Sequence, residues 1–453
     1  MSDGAGGHLR LLESLASTEA LAEVFSDASL LASMLRFEVA LARAQAAAGM
    51  ISPDVADAIE RAARPESFDA GAIAQGARAS GTITIPLVQM LTARVEADAP
   101  DAAAFVHRGA TSQDVSDTAL VLCLVRAGRI LAADHQRLTA GLMRLSQAHA
   151  GSVMLARTLL QPASPTTFGL KAAGWFGAVS RSGRLMQNAF ADGCVLQFGG
   201  ASGTLAALNT QALPVASRLA RELGLTEPDA PWHAHRDRLA SLVCACGIYT
   251  GSLGKMARDI SLLMQYEVAE ANEPGGASSS MPHKQNPAGC AIALAAATRV
   301  PGLVAGFLAG LPQEHERGLG NWHAEAATVA AVVQATGSAL AAMADVIENL
   351  RVDPARMRAN IDATRGLIFA ERAMMLLTPL VGRDAAGQAV RLAIAATHRT
   401  GQHFVEALVA DNDVRAALGA TDAASLGSPD AYLGAAEQFR RRLLGVRPVE
   451  PEH

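Results

Sequence analysis

The chain has 453 residues, half of them apolar but only 4% aromatic, with 38 basic against 43 acidic residues and a formal net charge of −5. This length supports a large core and more than one folding unit, and an apolar content made mostly of Ala and Leu suits closely packed helices rather than a thick sheet core. No basic run stands out, which argues against nucleic acid or an anionic membrane as partner; an anionic substrate would need positive charge gathered locally, with Arg157, Arg236, Lys284 and Arg317 as candidates.

The first residues, Met1 to Arg10, are polar and Gly-rich without an apolar signal core, so the expectation is a cytoplasmic protein. Leu30, Met34, Phe37 and Leu41 recur at helical spacing, and shorter helical pieces follow, broken at Pro53, Pro65, Pro86 and Pro100. Residues 1–105 therefore read as an N-terminal helical domain. Longer amphipathic stretches then predict helices over 115–150, 166–192, 234–271, 288–310 and 323–350, a central bundle within 106–351. Ala326 to Ala344 is uncharged, but its Ala content and Gln334, Thr336, Gly337 and Ser338 predict a buried bundle helix rather than a membrane span. Val352-Asp353-Pro354 places a Pro in the first turn of a new helix and opens a third helical domain, 352–453. The expected class is all-α.

The five cysteines, Cys123, Cys194, Cys244, Cys246 and Cys290, are odd in number and irregular in spacing, and read as small buried hydrophobes in a reducing compartment. His315-Glu316 lacks the second His of a zinc-binding HExxH, and Gly199 to Gly203 follows no clear strand, so neither a metal nor a dinucleotide cofactor is expected.

The segment Gly275 to Pro287 separates two long helical stretches and cannot itself be helical, because it carries Gly275, Gly276, Pro282 and Pro287. Three hydroxyls, a Lys and an Asn suit a loop over an anionic substrate, and composition alone equally allows a polar connection. The run Ser278-Ser279-Ser280-Met281-Pro282-His283-Lys284-Gln285-Asn286 resembles the signature of the fumarase/aspartase superfamily. Two further segments resemble its other regions in the right order: His107-Arg108-Gly109-Ala110-Thr111-Ser112-Gln113-Asp114 and Arg157-Thr158-Leu159-Leu160-Gln161-Pro162-Ala163. Thr111 to Asp114 also reads as a helix cap, and a helix N-terminus itself favours anions.

The resemblance implies a fumarase/aspartase-like fold and a homotetramer whose active sites are each shared among three subunits. It implies Ser278 as the residue that moves the proton, Lys284 and Asn286 on a substrate carboxylate, and His107, Thr111, Ser112, Thr158 and Gln161 as substrate-binding residues. The implied partner is a small anionic polycarboxylate.

One departure selects among the family's reactions. Many members carry a His after the Thr of the second region as general acid; here that position is Leu159, which transfers no proton. Hydroxide and amines leave poorly without an acid, whereas a carboxylate, whose conjugate acid has a pKa near ~4, needs little help. The absence argues against fumarase, aspartase and argininosuccinate lyase activity. It fits the 3-carboxy-cis,cis-muconate cycloisomerase branch, in which a substrate carboxylate adds to its own double bond. Leu196 to Thr204, Pro231-Trp232-His233 with Arg236-Asp237, and Gln313 to Arg317 with Trp322 to Glu325 resemble that branch's local patterns, which implies His233 and Arg236 as further substrate-binding residues. The alternatives are β-elimination from a succinate derivative with a good leaving group such as nitrite, adenylosuccinate lyase, which Leu159 argues against, and a non-catalytic helical scaffold, which the intact Ser278, Lys284 and Asn286 argue against.

Overall fold

Five helices of 22 to 37 residues dominate the chain: α2 (Ser112–Ala148), α3 (Phe168–Gly193), α4 (Asp237–Leu263), α5 (Ala288–Ala309) and α6 (Asn321–Asn349), preceded by α1 (Asp27–Ala47). The computed structural model describes residues 9–277 and 279–445. The fold is all-α, and among the described residues the sheets are small and two-stranded. The long helices lie within a few residues of the stretches that periodicity predicts, except that α4 stops at Leu263 rather than at 271. There the Glu270 N–H turns back to the Leu263 carbonyl and Ala269 takes a left-handed φ of 51°. An antiparallel hairpin, β1 (Val153–Thr158) and β2 (Gln161–Thr167), was not expected from the sequence.

The chain forms two compact units, each assembled from separate stretches. The first gathers residues 1–136, 181–254 and 292–342. Here Ser26 caps α1 by accepting the Ser29 N–H, and α1 buries Met34, Leu35, Phe37 and Leu41 in one core with Ile59, Leu87, Leu91, Phe198 and Leu219. Small residues let its long helices approach: a Cβ at Gly183 would stand 2.2 Å from the His135 ring, and one at Gly254 would stand 2.6 Å from Ala297. Val329, Val332, Val333, Ala339 and Leu340 of α6 are fully buried.

The second unit gathers residues 137–180, 255–291 and 343–453. Its C-terminal helices close over Phe369, Leu377, Val390, Phe404, Leu408 and Leu426, and a smaller cluster of Val153, Leu155 and Ile361 lies beneath the hairpin. Asp353 accepts the Arg356 N–H at 2.9 Å and Pro354 takes the first helical position, which starts the Pro354–Asp362 helix where the sequence predicts a new helix.

Among the described residues three helices are long and apolar enough to cross a membrane: α4, α5 and α6. The most apolar windows of α4 and α6 are 61% and 56% buried inside the fold, but that of α5 is only 22% buried. Burial pushes the Cys194 and Cys246 thiols up to about 12, which leaves both unreactive.

Candidate active site

The first turn of α2 is the hub of the first unit. Thr111 precedes the helix, and its N–H donates to the Asp114 carboxylate at 2.9 Å while the Asp114 N–H returns to the Thr111 carbonyl. This is one arm of a capping box, with an Asp in the place of the usual Glu. Asp114 is fully buried and accepts three more N–H donors: Gly199 at 3.0 Å, Gly200 at 2.9 Å and His233 Nε2 at 2.7 Å. Four donors make an ionised carboxylate tenable away from water. The glycines are needed for this approach, since a Cβ at Gly199 would stand 2.6 Å from Pro231 and 2.8 Å from His233. Gly199 and Gly200 therefore anchor the first turn of α2.

One turn further, Asp117 receives Arg236 in a two-pronged pair at 2.7 and 2.9 Å, and Arg236 also reaches Glu325 at 2.8 Å through Nε. The guanidinium lies 4.5 Å from the Trp232 ring centroid, and Trp322 Nε1 donates to Asp117 at 3.0 Å. Burial pushes Asp117 up, but the charge and hydrogen bonds of Arg236 outweigh it and hold the carboxyl below its ordinary value. Burial dominates at Glu325 and leaves it above its ordinary value despite Arg236. Arg236 and His233, expected on substrate, are both buried, and every guanidinium nitrogen of Arg236 is held by an acid.

Arg317 is arranged differently. It donates to Thr111 Oγ1 at 2.7 Å, to Ser112 Oγ at 3.3 Å and to Gln113 Oε1 at 3.3 Å, and Gln113 in turn donates to the His233 carbonyl at 2.9 Å. Among the described residues no carboxylate pairs with it. A guanidinium without a counter-ion, two hydroxyls and the positive end of a 37-residue helix make a place for a carboxylate. His107, four residues before Thr111, sits in a left-handed conformation, φ 59°, and bonds Glu38 through Nδ1 at 2.7 Å.

In the second unit, Thr158 and Gln161 face each other across the two-residue turn of the hairpin. Both turn residues have positive φ, 51° for Leu159 and 64° for Leu160, as a type I′ turn requires, and Leu159 is 97% exposed. Arg157 is committed to the buried Glu270, with bonds of 2.9 and 2.7 Å, so it is no free anion binder.

The signature loop is pinned at its base. The Asn286 N–H donates to the Gly276 carbonyl at 2.8 Å, Ala277 bridges Gln285, and Asn272 bonds the Gln285 side chain. Glu273 receives the Gly289 and Cys290 N–H groups at 2.7 and 3.1 Å and so caps α5, which leads out of the loop. Lys284 is exposed, and among the described residues no acid pairs with it. Ser278 lies outside the described residues.

Thus Thr111, Ser112, His233 and Arg236 converge on two turns of α2, Thr158 shares a hairpin with Gln161, and Lys284 shares a loop with Asn286. Sequence reasoning placed Gln113 and Asp114 in the helix cap but not among the site residues, missed Glu38 and did not group Arg317. The signal available for Arg317 was its place in the Gln313–Arg317 segment.

The Lyase family matches residues 15–302, and the family described as adenylosuccinate lyase C-terminus matches residues 366–443. This chain belongs to the fumarase/aspartase superfamily. A superfamily relative from Bradyrhizobium diazoefficiens named 3-carboxy-cis,cis-muconate cycloisomerase is 46% identical over 96% of this chain and 97% of its own. A nitrosuccinate lyase from Streptomyces davaonensis is 40% identical over 93% and 91%. The crystal structure of the 3-carboxy-cis,cis-muconate lactonizing enzyme of Pseudomonas putida superposes with a TM-score of 0.92 at 42% identity, covering 97% of this chain and 99% of that one.

Proposed function

We propose that this superfamily member is a 3-carboxy-cis,cis-muconate cycloisomerase that closes its substrate to 4-carboxymuconolactone, a step of protocatechuate breakdown. The observation that carries the reading is Leu159, an exposed side chain incapable of acid catalysis at the hairpin turn beside Thr158. In ring closure a substrate carboxylate oxygen bonds to one alkene carbon, and the π electrons move to the neighbouring carbon beside a second carboxylate. That carbanion takes one proton, and nothing is expelled, so no leaving group needs an acid.

In this reading Ser278 delivers the proton, while Lys284 and Asn286 hold the carboxylate that spreads the carbanion's charge. Thr111 and Ser112, with Arg317, hold another carboxylate; His107, Thr158 and Gln161 complete the contacts with substrate. His233 and Arg236 act from behind, through Asp114 and Asp117. Neither a metal nor a cofactor is needed, and the enzyme is cytoplasmic. Residues 1–105, 106–351 and 352–453 are its three helical domains.

We further propose a homotetramer with sites shared among three subunits. The support is α5, which has one charged residue, Arg299, in 22 positions yet is mostly uncovered, and the exposed Leu159-Leu160 tip. A monomer by light scattering at micromolar concentration contradicts it.

The second reading is elimination of nitrite from nitrosuccinate, favoured by the 40% identical relative of that name. Purified protein given each substrate separates the two: loss of diene absorbance marks lactone formation, and nitrite release marks the lyase. Turnover of nitrosuccinate alone overturns the first proposal.

A further inference from the structure

Glu38 and Gln45 are polar side chains within the buried face of α1, seven positions and so two turns apart. Both are buried, Glu38 to 2% and Gln45 to 1% exposure, and both reach the loop before α2. Gln45 donates to the Arg108 carbonyl at 2.7 Å, and Glu38 Oε1 meets His107 Nδ1 at 2.7 Å. Glu38 Oε2 is buried without a partner, and among the described residues His107 is the one cationic group the carboxylate touches. A carboxylate placed this way needs a positive partner, because an unpaired buried charge is costly.

His107 is suited to be that partner. Its backbone is held in the left-handed region at φ 59°, a conformation that persists only where surroundings enforce it. Its side chain is 19% exposed, so the ring is not sealed in. With Nδ1 bonded to Glu38, Nε2 is its remaining donor, and no protein group accepts from it among the described residues.

We propose that Glu38 is a positioning residue that holds His107 as an imidazolium, so that Nε2–H meets a substrate carboxylate as a charged donor. The inference rests on the cycloisomerase reading for its substrate and adds to it the charge state of His107 and the residue that sets it. The charged groups acting on the ring are Glu38 from α1 and Asp114 from α2. Burial pulls the imidazole down, but the charge and hydrogen bond of Glu38, with the charge of Asp114, outweigh it and leave His107 above its ordinary value. Asp114 is already saturated by its own donors, so Glu38 is the group whose removal matters.

The test is the pH dependence of KM in wild type, Glu38→Gln and His107→Gln, together with a titration of 13C-labelled histidine by NMR, the His107 signal assigned by its absence in His107→Gln. Glu38→Gln keeps the size and a hydrogen bond but removes the charge, so the His107 pKa falls. KM of the variant should stay within about twofold of wild type near pH 6 and rise about tenfold by pH 8, a change of one pKa unit in the ring's protonation. In His107→Gln KM should be raised throughout, without that slope. A structural role alone would shift both ends of the profile together, and parallel KM profiles for wild type and Glu38→Gln overturn the proposal. So does a wild-type His107 that titrates at or below the ordinary histidine value, a measurement that stands even where Glu38→Gln does not fold. Absence of turnover with carboxymuconate would count against the functional reading and leave the NMR result to decide this one.

Discussion

Arg317 donates to Thr111 Oγ1 at 2.7 Å across 206 residues of sequence, and among the described residues it has no acid partner. Its charge is therefore available to a ligand, in contrast to Arg236, which Asp117 and Glu325 neutralise. Arg317→Ala should raise KM and lower kcat/KM by about 10- to 150-fold, the equivalent of the ~1.5–3 kcal/mol of a charge-assisted hydrogen bond. Thermal stability should change little, because no buried charge is stranded. Arg317→Lys should recover only part of the loss, since an ammonium cannot span Thr111 and Ser112 as the guanidinium fork does. Unchanged steady-state constants in Arg317→Ala refute the assignment.

Ser278 and Lys284 should separate by kinetic signature. Ser278→Ala should cut kcat by about 10²–10⁴-fold with KM little altered, as loss of the proton carrier requires. Lys284→Ala should chiefly raise KM, by about 1.5–3 kcal/mol of lost binding. Should Ser278→Ala instead keep kcat and lose affinity, Ser278 is a binding residue and proton transfer passes to His107 or His283.

Breaking the Asp117–Arg236 pair should be costly. Asp117→Asn leaves Arg236 buried with only Glu325, and the loss should be about 3–5 kcal/mol in denaturant unfolding. The native Asp117 value is depressed, so its contribution is complete above the unfolded aspartate value of ~3.9 and disappears as pH falls through the lower native value. The stability gap between wild type and Asp117→Asn should thus be constant at neutral pH and close only below about pH 4. A gap that narrows between pH 6 and 8 assigns the effect to another group.

Gly276 should control the signature loop without controlling the fold. Its φ is 66°, and a Cβ there would stand 2.0 Å from the Asn286 carbonyl oxygen, so Gly276→Ala must open the base of the loop. We expect kcat/KM to fall at least about 100-fold, the scale on which small misplacements act, with the melting temperature nearly unchanged. A large drop in melting temperature would show instead that the loop base supports the core.

Helix spans were legible because their pattern is local. Leu30, Met34, Phe37 and Leu41 announce α1 by spacing alone, and the uncharged Ala326–Ala344 stretch falls inside α6, where the apolar face explains its composition. Family membership was legible where the residues that carry the resemblance are adjacent in sequence, as in the Ser278–Asn286 run, and Leu159 is legible as a side chain that transfers no proton. The hairpin escaped because its turn is Leu159-Leu160, with none of the Asn or Gly that usually marks positive φ.

The fate of each charge could be decided only in three dimensions. By composition alone Arg157, Arg236, Lys284 and Arg317 are all candidates for an anion, and the resemblance singles out only Lys284 and Arg236. The fold gives Arg157 to Glu270, 113 residues away, and Arg236 to Asp117, 119 residues away, and pairs neither Arg317 nor Lys284 with an acid among the described residues. Glu38 is likewise an ordinary polar residue of a helix until His107 is folded against it. Composition and periodicity report which side chains a helix carries and which face is buried; whether a charge is spent or free depends on what stands within about 3 Å of it, which distant parts of the chain supply.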